Sequence, residues 1–206
     1  MININNCALL VIDLQNDFVR QGAPMEVSDA RASLPKVKKL LDASRNHNIP
    51  IIYTKFLSGP KRTLLWNWSP QIEEFSACKR GLLRKYSELN AERQCTDVVD
   101  EIYPINGDYI VEKYGYSSFR NTNLKDILQS EGIDSLIVVG TVTQICVADT
   151  VHDAFGLGYK VLVVSDCVSS FMADMQTAFL KNFEMKFAWV KDCDTVLKMI
   201  EGTEKS

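Results

Sequence analysis

The sequence predicts a parallel, doubly wound α/β sheet, and two observations carry that prediction. Short β-branched apolar runs alternate with segments whose apolar residues recur at helical spacing. The strands read as continuous hydrophobic runs rather than in/out alternations, as expected of strands buried on both faces. At 206 residues the chain suits one full-sized domain, taken here as 1–206.

The first run, "CALLVID", is a buried strand. Leu34, Val37, Leu40 and Leu41 then mark a helix that stops at "NHNIP". "IPIIYTKF" is the second strand, and "DYIVEK" the third. A helix over about 121–130 follows, closed by Gly132. "SLIVVG" is the fourth strand and leads into a helix carrying Cys146. "KVLVVSD", a helix over about 174–184 and "KFAWV" continue the alternation, and "CDTVLKMIEG" closes it, with the last four residues expected to fray. The exception is 57–104, rich in Trp, Pro and mixed charge, with helical pieces expected over 71–75 and 91–101. An insertion of that length suits a lid or a subunit contact.

Composition excludes several classes. Hydrophobic residues make up 46% and charged residues 24%, and the net charge of −3 comes with 23 scattered Lys and Arg. That pattern lacks the basic stripe of a nucleic-acid binder. No apolar run reaches the ~18 residues of a membrane span, and the first residues lack signal-peptide features. Six widely spaced cysteines without a CxxC pair read as free thiols, so a cytoplasmic protein is expected. His47 and His152 are the only histidines and are far apart, which predicts no metal site and no cofactor.

In a parallel sheet, ligands bind beyond the carboxyl ends of the strands. Asp13, Lys113 and Cys146 each lie at such an end. Each has a plain alternative: a turn cap, a solvated lysine, a small buried hydrophobe. Their shared edge makes them a candidate nucleophile set. A helix N-terminus and a nearby ammonium would both lower the Cys146 pKa. Cys78, Cys95 and Cys193 fall in polar sequence surroundings, and His152 is expected to face away from Cys146 around the helix.

The segments "ALLVIDLQNDFV", "VEKYGYSSFRNTNL" and "VVGTVTQICVADTVHDAFGLGYKVLVVSD" resemble the isochorismatase-like cysteine hydrolases. The resemblance implies a six-stranded parallel sheet flanked by helices, assembled as homodimers or homotetramers. It also implies an Asp13, Lys113, Cys146 triad that cleaves a C–N bond through a thioester. It further places a cis peptide at Thr141–Val142, with the Val142 and Cys146 N–H groups as oxyanion donors. The plain alternative is a strand-to-helix loop with Thr143 as N-cap.

The family's metal-dependent nicotinamidases carry histidines after the second strand, where "YTKFLSGPKRTLLW" has none. Its isochorismatases have glycine at the cysteine position. The departures favour a small amide or ureide as substrate, in the manner of biuret, ureide or N-carbamoylsarcosine hydrolysis. A vinyl ether hydrolase and a degenerate binding or scaffold homologue are the alternatives. Phe18, Gln144, Trp66 and Trp68 are candidate pocket residues, each with a packing or solvated alternative. Asp149, Thr150 and Asp153 read as residues that dock or cap the Cys146 helix.

Overall fold

The computed structural model describes residues 2–59 and 63–202. Pro60 and the C-terminal residues expected to fray lie outside them. No described helix is long and apolar enough to cross a membrane.

Six strands form one sheet: β1 (Cys7–Ile12), β2 (Ile51–Phe56), β5 (Tyr109–Lys113), β6 (Ser135–Thr141), β7 (Lys160–Ser169) and β8 (Trp189–Lys191). Their order is β5-β2-β1-β6-β7-β8, and every pairing is parallel. Side chains alternate between faces along each strand, and the two halves of the core follow that alternation. Leu9, Val11, Tyr53, Ile137 and Leu162 point to one face. There they meet Val37 and Leu41 of α2 (Ser28–Asn46) and Val196 of α8 (Cys193–Ile200). Leu10, Ile12, Ile52, Val138 and Val163 point to the other. They pack with Leu128 of α5 (Leu124–Ser130), Val151 of α6 (Ala148–Gly156) and Phe183 of α7 (Ala173–Lys186). This is the six-stranded, helix-flanked parallel sheet that the sequence predicts.

The boundaries depart from expectation in three places. The 91–101 stretch is not helical: β3 (Leu83–Lys85) and β4 (Glu92–Gln94) form an antiparallel hairpin, and a single 3-10 turn follows at Asp100–Ile102. The hairpin strands are short and largely exposed, so they carry no hydrophobic period. The helix expected from 121 begins at Leu124, because Asn121 takes a left-handed φ of 57° that an α-helix excludes. "KFAWV" is strand only from Trp189. Its first residues close α7, where the Phe187 and Ala188 N–H groups donate to Phe183 O.

Two further helices of the insertion, α3 (Leu64–Trp68) and α4 (Gln71–Glu74), complete the elements that matter here, with α1 (Asn16–Val19) after β1. The segment following β1 fastens the insertion to the sheet. Gln15 Nε2 donates to Phe56 O and Thr96 O, both at 2.9 Å, and Gln15 Oε1 accepts from Phe56 N at 2.7 Å. Asp17 is wholly buried and accepts from Cys78 N (2.8 Å), Arg84 Nε (2.9 Å) and Tyr86 Oη (2.8 Å). Arg20 clamps Glu101 through two bonds of 2.6 and 2.8 Å.

Candidate active site

The strand ends bring three reactive side chains together. Asp13 follows β1 with φ of 53°, a left-handed conformation uncommon outside Gly, Asn and Asp. Its carboxylate is fixed on one side by Thr54 within β2, whose Oγ1 donates to Oδ1 at 2.6 Å. On the other side Lys113, the last residue of β5, brings Nζ to 2.6 Å from Oδ2. Both side chains of the pair are wholly buried. The ammonium also donates to Gly115 O (3.1 Å) and Tyr116 O (2.9 Å) and lies 5.4 Å from the Phe56 ring centroid.

Cys146 reaches the same point from β6. Gly140 has φ of 122°, and a Cβ built there would lie 2.0 Å from Ile12 O. Only glycine lets β6 approach β1 this closely. The β6–β7 register also shifts between Val138 and Gly140. The Thr141–Val142 peptide is cis. One π-helical turn, Thr143–Val147, carries Cys146 and runs into α6. Thr143 is not the expected N-cap: its Oγ1 is buried and makes no hydrogen bond among the described residues.

The Cys146 thiol lies within electrostatic reach of Asp13 and Lys113, which act on it in opposite directions. Burial pushes its pKa up to about 12, with Lys113 opposing and Asp13 adding to the rise. This corrects the expectation of an acidified thiol: desolvation outweighs the ammonium of Lys113. Burial works to lower the Lys113 pKa, but the opposing influence of its neighbours, Asp13 foremost, outweighs it and holds the ammonium above its ordinary value. The resting arrangement is thus a buried, protonated thiol beside the Asp13–Lys113 ion pair.

A cavity of about 370 Å³ opens over Cys146. Phe18 and Trp68, both singled out from sequence, line it, while Trp66 lines a neighbouring cavity with Leu57 and Tyr114 instead. Gln144 is not a lining residue; its Oε1 is buried without a partner. The remaining walls come from residues the sequence did not single out. Phe56 ends β2, Tyr116 follows β5, Ser69 and Gln71 belong to the insertion, and Phe171 precedes α7. Tyr116 sits in the quoted "VEKYGYSSF" segment and Phe56 directly follows Lys55 in a strand, so strand-end position is the signal that could have found both.

The neighbouring expectations divide. Thr150 Oγ1 accepts from Ser118 N at 3.0 Å, and Arg120 Nε donates to Asp153 Oδ2 at 2.9 Å, so α6 is docked as its polar residues suggested. His152 packs against Phe187, ring centroids 4.3 Å apart and tilted by 56°. Cys78, Cys95 and Cys193, expected in polar surroundings, are instead buried, as are the other three free thiols. Among the described residues, no group of three His, Cys, Asp or Glu is placed to hold a metal ion.

The helix-flanked parallel sheet places the chain in a known class of hydrolases with an α/β fold. The Isochorismatase domain matches residues 7–195, and the chain belongs to that family. It is 32% identical over 197 residues to the ureidoacrylate amidohydrolase RutB of Agrobacterium fabrum, covering 89% of this chain and 85% of that one. To the protein of the same name from Serratia proteamaculans it is 33% identical over 202 residues, covering 91% and 80%. A cysteine hydrolase structure from Pseudomonas syringae pv. phaseolicola superposes with a TM-score of 0.86 at 26% identity, covering 98% of this chain and 96% of that one. The N-carbamoylsarcosine amidase of Thermoplasma acidophilum gives a TM-score of 0.72 at 28% identity, covering 92% and 97%.

Proposed function

We propose that this chain is a cysteine-dependent amidohydrolase that cleaves a C–N bond of a small amide or ureide through a thioester on Cys146. The observation that carries the reading is the buried Asp13–Lys113 ion pair with the buried Cys146 thiol in its electrostatic reach, beneath a ligand-sized cavity. The amidohydrolase and amidase names of the relatives agree with it.

The steps follow from the protonation state. Asp13 takes the thiol proton as Cys146 Sγ attacks the carbonyl carbon. Burial pushes the thiol up to about 12, so in this reading proton transfer to Asp13 accompanies attack. The tetrahedral oxyanion is held by the Val142 and Cys146 N–H groups, whose individual loss would cost on the order of 100-fold or more. Collapse breaks the C–N bond, and Asp13 returns the proton to the leaving nitrogen, releasing ammonia or an amine. Water, deprotonated by Asp13, then adds to the thioester and expels the cysteine sulfur, which recovers its proton from Asp13. Lys113 orients the carboxylate and keeps its charge balanced throughout. Residues 57–104 belong to the same domain and act as a wall of the pocket, to which they contribute Trp68, Ser69 and Gln71.

Acid-quenched turnover mixtures provide the test. The Cys146 peptide should carry an acyl or carbamoyl mass increment that hydroxylamine removes. Turnover with the increment on another residue would refute the mechanism.

A further inference from the structure

From the charges around the cavity over Cys146, we infer that the site selects uncharged, apolar-bodied ureides or amides and discriminates against substrates that carry a carboxylate. The inference rests on the amidohydrolase reading and narrows it.

The walls are largely aromatic and aliphatic: Phe18, Phe56, Trp68, Tyr116, Ile145 and Phe171. Among the described residues, Glu26 is the only charged side chain in the lining. Its charge is already answered, because Arg31 Nη2 donates to Oε1 at 2.8 Å and Gly22 N to Oε2 at 2.8 Å. Arg31 is committed as well, its Nη1 donating to Val19 O at 2.6 Å. Lys113, behind the Phe56 ring, is already paired with Asp13 at 2.6 Å and donates to Gly115 O and Tyr116 O. The polar groups that remain, Ser69, Gln71 and the Tyr116 hydroxyl, are neutral.

A carboxylate entering this site would lose its hydration and find no counter-charge among these residues. Burying an unpaired charge is among the most costly events in recognition. The amide head of a ureide, by contrast, needs only neutral donors and acceptors, and an alkyl or aryl body matches the walls. The acrylate named for the RutB relatives ends in a carboxylate, so this pocket points to a different substrate from theirs.

The test compares N-carbamoyl-β-alanine with N-isopentylurea, in which an isopropyl group replaces the carboxylate at matched size. Ammonia release by the wild-type protein gives kcat/KM, and calorimetry with the Cys146→Ala variant gives binding without chemistry. Preference for N-isopentylurea by about 100-fold or more in kcat/KM, with binding in the same direction, is the expected result. Equal use of both, or preference for the acid, overturns the inference and leaves the amidohydrolase reading intact. Preferential binding of N-isopentylurea without turnover of either supports the inference and counts against that reading. Failure to bind or turn over either compound overturns the inference.

Discussion

Lys113 Nζ lies 2.6 Å from Asp13 Oδ2 with both side chains wholly buried, and the pair forms the floor on which Cys146 rests. Two charges in such a place are tolerable only together. Their mutual attraction offsets the loss of water, and Thr54, Gly115 and Tyr116 supply the remaining hydrogen bonds.

Removing one partner therefore has a predictable cost. Lys113→Met should destabilise the fold by about 3–5 kcal/mol, because it strands a buried carboxylate. The double variant Asp13→Asn, Lys113→Met should recover most of that loss, while both forms lose catalysis by at least about 100-fold. Urea denaturation and ammonia assays read the two effects separately. Equal stability of the single and double variants would deny that the pair is coupled.

Gly140 sets the approach of β6 to β1. Gly140→Ala puts a Cβ against Ile12 O and forces a residue with φ of 122° out of its conformation. A loss of more than about 2 kcal/mol is expected, together with displacement of the turn that carries Cys146. A thermal midpoint and activity unchanged from wild type would contradict this account of the strand.

The thiol pKa near 12 makes a statement about reactivity. Thiolate forms only as pH approaches that value, so its fraction at Cys146 should grow about tenfold per pH unit from neutral pH upward. Inactivation by iodoacetamide should climb through pH 9 without levelling off. A rate that plateaus between pH 6 and 7 would mean that a preformed thiolate exists and that Lys113 outweighs burial.

Asp17 holds the insertion by three donors at once. Asp17→Ala leaves Cys78 N, Arg84 and Tyr86 without their acceptor, and unsatisfied buried donors cost about 1–3 kcal/mol each. Because Trp68, Ser69 and Gln71 come from this insertion, KM should rise more than kcat falls. Limited proteolysis should cut the variant within 57–104 sooner than wild type. A protected insertion with unchanged KM would separate Asp17 from the pocket.

The legibility of this chain tracked burial. Strands such as Cys7–Ile12 and Ser135–Thr141 are buried along their whole length, so their apolar runs announce them in sequence. The hairpin of Leu83–Lys85 and Glu92–Gln94 is polar and exposed; tertiary bonds from Asp17 hold its surroundings, and no local pattern encodes that. The same divide runs through the site. Asp13, Lys113 and Cys146 sit at or just beyond strand ends, a position the topology fixes, and the structure pairs Asp13 with Lys113 and sets the Cys146 thiol in their electrostatic reach. The walls come from distant segments, so that Phe171 and Ser69 meet only after folding. The thiol pKa was misjudged because helix position is visible in sequence, whereas the depth of burial that dominates it is not.

Ammonia release by Cys146→Ala, measured against wild type across neutral ureides and amides, tests the central claim most directly. The account predicts a loss of about 10⁴-fold or more, with the variant still folded and still binding its substrate. Turnover by Cys146→Ala within tenfold of wild type would contradict it.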